Sequence, residues 1–215
     1  MYIQKQLAED NTEILHEFIK SHSFGTLIIS SQAGVEANHI PFELITENSE
    51  HSLLRAHVSL NNPAWKLAGE IKHALVIFQG PHSYISPSLH PARNTHGKVA
   101  PSWNYSAVHA YGAIEVVRDP EWLHNHLDRL VIHNEANRKN PWSLTEAPQD
   151  FIDTAVQFIV GLEIKISHLY GKFQASQQYS ASIRESIADG LRAEGNPEAN
   201  AVAEMILSRK SVHEK

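Results

Sequence analysis

The chain has 215 residues, of which 42% are hydrophobic, 20% are charged and 8% are aromatic, a balance typical of one folded domain with or without a small helical appendage. It contains no cysteine, which excludes a disulfide framework, a thiolate nucleophile and any cysteine-ligated metal site. Its 18 Lys and Arg residues are outnumbered by 24 Asp and Glu residues, and the net charge of -6 gives the whole chain no electrostatic attraction to nucleic acid or anionic lipid.

Short apolar and β-branched segments predict strands, most of them in the first half of the chain. In chain order, the predicted strands cover residues 26–30, a segment through His39 and Ile40, 53–58, 74–78, 108–117 and 162–166. The last of them alternates strictly between apolar and charged residues, as a strand with one buried face does. Roughly six to eight strands at this short spacing favour a barrel or sandwich over a parallel α/β sheet.

Start signals predict helices between and after these strands. Asn62-Pro63, Asp119-Pro120 and Asn196-Pro197 each place a capping residue before a proline at the first helical position. Apolar residues at helical spacing follow Asp119-Pro120, and a second apolar stripe runs over residues 151–160, where Gly161 is expected to end the helix.

These elements predict a main domain over residues 1–180 and a C-terminal helical segment over residues 181–215 that packs on it. The longest apolar run, residues 74–78, is far shorter than the roughly 20 residues that a membrane-spanning helix needs. The first residues lack the basic and apolar stretches of a signal peptide. We therefore expect no membrane partner and a cytoplasmic location.

Familiar catalytic signatures are absent from the sequence: G-x-G-x-x-G, the P-loop, G-x-S-x-G and H-E-x-x-H do not occur. The chain has 15 histidines, and for these a surface or hydrogen-bonded role is commoner than a metal site. No catalytic residue and no metal ligand is therefore assigned.

Three segments carry polar and aromatic residues in patterns that a purely structural role explains less well than ligand binding does. Residues 57–63 run from a strand into a capped helix start, which can hold a phosphate through its N–H donors, although Asn62 as a simple cap explains the same pattern. Residues 79–88 are rich in hydroxyls, which a solvated loop also explains. In residues 99–105, Trp103 and Tyr105 flank Asn104, which indicates either a platform for a planar ligand or loop packing.

Six segments, in this order, resemble the PaiB family, described as FMN-binding negative transcriptional regulators. They are residues 24–27, 37–41, 57–63, 77–88, 101–105 and 171–177. The resemblance implies an α+β fold, an antiparallel split β-barrel of the FMN-binding type flanked by helices. It also implies FMN as cofactor, a homodimer with the flavin at the subunit interface, and a role in repressing genes.

The resemblance leads us to expect the FMN phosphate near residues 57–62, with Lys172 supplying a charge and Ser176 and Gln177 supplying hydrogen bonds. Trp103, Asn104 and Tyr105 would border the flavin ring. The predicted cofactor-binding residues are His57, Ser59, Asn61, Asn62, Ser86, Trp103, Asn104, Tyr105, Lys172, Ser176 and Gln177.

The sequence departs from the family pattern at residues 60, 89–90, 93 and 173–178. Leu60 stands where the family often has a basic residue. If that position meets the phosphate, the missing charge-assisted hydrogen bond weakens FMN binding by about 1.5–3 kcal/mol.

Functions from different classes remain open. The first is a flavin-binding regulator with no turnover of its own; the alternatives are a flavin-dependent oxidoreductase of the pyridoxamine-phosphate-oxidase-like class and a haem-binding protein of the same fold.

The sequence contains no helix-turn-helix with a basic face. The cations of the C-terminal helices, Arg184, Arg192, Arg209 and Lys210, are interspersed with acidic residues. DNA is therefore a predicted partner through the resemblance alone.

Overall fold

The computed structural model describes residues 1–32, 34–46, 52–71 and 73–211. Within these residues the strands are β1 (Ala8–Glu9), β2 (Phe24–Ser31), β3 (Gly34–Pro41), β4 (Glu43–Ile45), β5 (Leu53–Ser59), β6 (His73–Ile85), β7 (Ser102–Val117) and β8 (Ile159–Gln174). The α-helices are α1 (Thr12–Ser21), α2 (Ala64–Ile71), α3 (Pro120–Glu135), α4 (Gln149–Val156), α5 (Ala181–Ala193) and α6 (Pro197–Ser208). Short 3-10 turns cover Lys5–Leu7, Pro87–Leu89, Pro91–Asn94 and Leu144–Glu146.

The strands form one antiparallel sheet in the order β3-β2-β6-β7-β8-β5-β4, and β1 pairs with β8. Each segment predicted as a strand lies in a strand of this sheet. The antiparallel arrangement with helices confirms the predicted α+β class. None of the helices in the described part of the chain is long and apolar enough to cross a membrane.

The chain divides into two compact units, and β6, β7 and β8 each contribute residues to both. The first unit consists of Met1–Phe18, Gln79–His109 and Tyr170–Lys215, as far as these are described. The second unit consists of Ile19–Phe78 and Ala110–Leu169.

In the first unit, aromatic and aliphatic side chains of β8 and the C-terminal helices form the buried layer. Phe18 and Phe173 meet edge to face with ring centroids 5.3 Å apart, and the Arg209 guanidinium lies 3.8 Å from the centre of the Phe173 ring. The side chain of Arg184 in α5 is buried, and its guanidinium donates to the backbone carbonyls of Ile206 and Arg209. Helix α5 begins where the C-terminal helical segment was predicted, whereas a separate domain boundary near residue 180 stays a prediction.

In the second unit, the alternating residues of β2, β5, β6 and β8 form the buried face of the sheet. Its fully buried side chains include Leu27, Ile29, Leu54, Val76, Phe78, Leu162 and Ile164. Helices α2 and α3 begin as predicted, because the Asn62 side chain accepts from the N–H of Ala64 and the Asp119 side chain accepts from the N–H of Glu121.

The helix predicted over residues 151–160 is wrong at its end. Helix α4 stops at Val156, and Val160 pairs with Val58 in the sheet. The glycine that follows has a packing role, because a Cβ at Gly161 would collide with the Trp122 ring. Tertiary pairing of the strand therefore overrides the helical periodicity of the last apolar residues.

Candidate functional site

The structure divides the predicted cofactor-binding residues between the two units. Those in the second unit are His57, Ser59, Asn61 and Asn62. Those in the first unit are Ser86, Trp103, Asn104, Tyr105, Lys172, Ser176 and Gln177. Each unit therefore carries its own group of candidate ligand contacts.

A buried polar pair joins β7 to the end of β8 in the first unit. Asn104 and Ser176 are both buried, and the Asn104 side-chain amide donates to Ser176 Oγ at 2.9 Å. Ser176 has a φ of 57°, the one non-glycine residue with positive φ in the described chain. Such a backbone conformation costs free energy, and strained positions of this kind cluster at functional sites.

Lys172 is a second buried cation of the same unit, besides Arg184. It is 8% exposed, and its Nζ lies 5.0 Å from the centre of the Tyr105 ring. Among the described residues, no carboxylate pairs with this ammonium. An ammonium on a largely buried side chain and without a counter-ion fits a ligand that brings an anionic group such as a phosphate.

The Gln177 side chain stabilises the turn that follows β8. Its Oε1 accepts from the Ala175 N–H at 2.7 Å, and its Nε2 donates to the Phe173 carbonyl. Ser86 similarly accepts from the Ser88 N–H and caps a 3-10 turn. These hydrogen bonds stabilise the backbone of the two turns. Direct contacts of the Gln177 and Ser86 side chains with the cofactor stay predictions.

Strand alternation separates the three residues predicted to border the flavin ring. Trp103 and Tyr105 point to one face of β7, whereas the buried Asn104 points to the other. Trp103 is 53% exposed and is accompanied by His82 and Tyr84, whose rings lie 6.3 and 6.0 Å from its own. A flat ligand on one face of β7 would therefore contact Trp103 and Tyr105 together, or Asn104, but not all three.

Sequence reasoning missed Ser106 in this unit. Its Oγ is buried and has no hydrogen-bond partner among the described residues. Ser106 follows Asn104 by two positions on β7 and so shares its face of the strand. That spacing is the signal by which Ser106 could have been found.

In the second unit, the segment that follows β5 uses its backbone donors internally. The N–H groups of Leu60, Asn61 and Asn62 donate to Phe158 O, Ser59 Oγ and Ser59 O. Both polar atoms of the Asn62 side chain are used as well, by the Ala64 N–H and by Asn38 Oδ1 at 2.8 Å. The structure thus gives Asn62 the role of a helix cap, and among the described residues the exposed Asn61 side chain and His57 Nε2 have no hydrogen-bond partner.

His57 belongs to a cluster that sequence reasoning did not find. Its Nδ1 lies 3.2 Å from Nε2 of His126, a fully buried residue of α3. The Trp122 ring stacks on His126 with centroids 5.1 Å apart. The other ring nitrogen of His126, Nδ1, faces Glu43 Oε2 at 3.7 Å, and Glu43 also pairs with Arg129. The available signal was a histidine within the apolar stripe of α3.

The protonation states within this cluster follow from burial and from its hydrogen bonds. Burial lowers the pKa of His57 to about 4, and the neighbouring His126 adds to the effect. Burial acts to raise the pKa of Glu43, but the neighbouring His126 and Arg129 outweigh it and the pKa is lowered. At neutral pH, His57 is therefore neutral and Glu43 is ionised.

Three of the four cations of the candidate DNA-contact patch in the C-terminal helices are used within the first unit. Arg184 is buried on backbone carbonyls, Arg192 pairs with Asp189 and Glu204, and Arg209 pairs with Glu9. Little basic surface therefore remains in the described C-terminal helices.

Comparison with known proteins supports the resemblance. The family described as "Putative FMN-binding domain" matches residues 1–168, a range that ends before Lys172. The protease synthase and sporulation protein PAI 2 of Bacillus subtilis (strain 168) is 30% identical over 206 residues, which cover 96% of this chain and 96% of the relative.

Solved structures share the fold at low identity. The FAD and haem binding protein of Mycobacterium smegmatis superposes with a TM-score of 0.55 at 17% identity, covering 85% of this chain and 80% of that one. The flavocytochrome Anf3 of Azotobacter vinelandii superposes with a TM-score of 0.56 at 12% identity, covering 80% of this chain and 72% of that one. These likenesses confirm the predicted split-barrel fold, and the matching family confirms FMN as the predicted cofactor. The chain belongs to the PaiB family of FMN-binding domain proteins.

Proposed function

We propose that this protein is a flavin-dependent regulator of the PaiB type, in which Lys172 pairs with the FMN phosphate. The observation that carries the proposal is the buried Lys172 ammonium, which has no carboxylate partner among the described residues. The isoalloxazine ring supplies redox chemistry when FMN is bound, and the protein binds and orients it.

The surroundings of Lys172 support a phosphate role. The Tyr105 ring lies beside the ammonium, and its electron-rich face attracts the cation. The left-handed Ser176 presents a hydroxyl that is already ordered by Asn104. A phosphate would pair with the Lys172 cation, whereas the Ser176 hydroxyl is held by Asn104, on the opposite face of β7 from Tyr105, and is a separate candidate contact.

FMN titration of purified variants tests the cofactor role. Removing a charged hydrogen-bond partner costs about 1.5–3 kcal/mol, so Lys172→Ala is expected to weaken FMN binding at least tenfold. Lys165→Ala is the matched control, because Lys165 is an exposed lysine of the same strand. Wild-type protein that binds FMN while Lys172→Ala binds it equally well would overturn the role of Lys172.

Transcript profiling tests the regulatory role. In cells that lack the protein, the genes it represses are expected to rise in expression. Complementation with wild type or Lys165→Ala should restore repression, whereas Lys172→Ala should not. If no transcript depends on the protein, the regulator proposal fails even if FMN binds.

A further inference from the structure

A cavity lies in the second unit, between α3 and the segment that joins β3 to β4. Its volume is about 170 Å³, and Phe42, Leu44 and Leu130 line its apolar part. Every described residue that lines it belongs to the second unit, whereas Lys172 belongs to the first. The cavity is therefore a candidate ligand site in addition to the proposed phosphate contact.

The volume of the cavity limits the size of its ligand. An apolar cavity of about 150 Å³ is large enough to bind benzene, so this one has room for a single six-membered ring or a branched chain of similar size. The three fused rings of a flavin exceed that size. Phe42 is buried at the cavity wall, so an apolar ligand group would lose its contact with water on binding.

The polar part of the lining carries two cations and one carboxylate. The cations are Arg129 and Lys20, and the carboxylate is Glu43, which Nε of Arg129 already binds. A ligand cation would have to compete with that pair for Glu43. The terminal Nη groups of Arg129 have no hydrogen-bond partner among the described residues, and they can donate two parallel hydrogen bonds to a carboxylate.

His133 adds a further donor to the same lining. The described part of the chain offers its ring no hydrogen-bond partner, and an imidazole has an N–H donor in either tautomer. The next residue, Asn134, donates through Nδ2 to the Leu130 carbonyl and so supports the end of α3. The donors at the cavity that remain for a ligand therefore suit an anion.

We propose that this cavity binds a small organic carboxylate whose body is one ring or a short branched chain. The carboxylate would lie on the Nη groups of Arg129, with the body against Phe42, Leu44 and Leu130. The charge of the lining selects a carboxylate over an amine, and the apolar walls select it over a small inorganic anion. This inference goes beyond the proposed function and does not depend on FMN.

Proton–nitrogen NMR of the full chain during titration with benzoate tests the site. Benzoate joins one ring to a carboxylate, whereas benzamide and benzylamine carry a neutral and a cationic group on the same ring. Benzoate is expected to bind in the millimolar range and to shift the amide resonances of Phe42, Leu44 and Leu130. Benzamide should bind at least tenfold more weakly, because it lacks the charge. No binding of benzoate, equal binding of benzamide or tighter binding of benzylamine would overturn the proposal.

Two variants with matched controls locate the bound benzoate. Leu130→Trp fills the cavity and should abolish the benzoate shifts, whereas Ile132→Trp, at an exposed position of the same helix, should bind as wild type. Arg129→Gln should weaken benzoate at least tenfold and leave benzamide unchanged. Its control is Arg138→Gln, which changes an exposed arginine just beyond α3. Unchanged benzoate binding by Leu130→Trp would place the ligand elsewhere and refute the site.

Arg129→Gln removes the arginine partner of Glu43 and can lower stability, so a double variant keeps the test decisive. Glu43→Gln with Arg129→Gln removes both charges together. If circular dichroism shows this variant folded, it should lose benzoate as the single variant does. Benzoate binding equal to that of the wild type would show that Arg129 does not hold the carboxylate, and the proposal would fail.

Repeating the wild-type titration with FMN present separates the two proposals. FMN and benzoate are expected to bind together without competition. Displacement of benzoate by FMN would place benzoate in the flavin site and overturn the present inference. Protein that binds FMN but not benzoate would refute this inference alone, whereas protein that binds benzoate but not FMN would refute only the proposed function.

Discussion

Lowering the pH should destabilise this protein progressively, because His57 binds a proton more readily in the unfolded chain than in the folded protein. Burial holds the pKa of this residue at about 4 in the folded protein, against 6.5 in an unfolded chain. The folded state therefore binds fewer protons, so its stability is complete above pH 6.5 and falls as pH drops toward 4. Because proton binding by His57 is coupled to unfolding, the free energy of unfolding falls by about 2 kcal/mol by pH 5 and by about 3 kcal/mol by pH 4.

Urea unfolding followed by circular dichroism at several pH values measures this loss. A decrease of about 2 kcal/mol lowers the urea midpoint by about 1 M for a typical dependence on denaturant. The informative quantity is the difference between wild type and His57→Gln, whose stability should depend less on pH. Parallel pH profiles for the two proteins would refute the assigned protonation of His57. Glu43, whose pKa is lowered, adds a further loss below pH 4.5.

Three more outcomes are expected. Gly161→Ala should destabilise the protein by about 1–3 kcal/mol in the same urea assay, because the new methyl group would collide with the Trp122 ring, and an unchanged midpoint would show that the ring has room to move. Light scattering at micromolar concentration should report a homodimer, whose interface we expect to exceed roughly 2,000 Å², and a monomer would exclude it. Binding to DNA should be weak and strongly salt-dependent, since only a few cations are available for phosphates, and nanomolar sequence-specific binding at physiological salt would contradict this.

Local sequence signals predicted the elements that depend on local chemistry. The prolines at residues 63, 120 and 197 follow capping side chains, and each marks a real helix start because cap and proline act within one turn. The strictly alternating residues 162–166 lie in β8 with their apolar members buried. The end of α4 was mispredicted, because pairing of Val160 with Val58 is a tertiary contact.

The candidate sites depend on contacts that no local pattern encodes. Asn104 and Ser176 are 72 positions apart, and His57 and His126 are 69 positions apart. The left-handed backbone of Ser176 has no compositional signature, because such positions usually hold glycine or asparagine. The resemblance supplied most of the candidate residues, and the capping role of Asn62 was among the alternatives read from the sequence, but the role of Gln177 as a backbone support emerged only from its hydrogen bonds.

The burial of Arg184 limits how many C-terminal residues can be removed from this protein. Its guanidinium depends on carbonyls that lie 22 and 25 positions downstream, at Ile206 and Arg209. Trimming the chain before Arg209 would leave a desolvated charge short of acceptors, a defect that costs several kcal/mol. Shortened variants should therefore retain the stretch through Arg209, and a purification tag belongs beyond it.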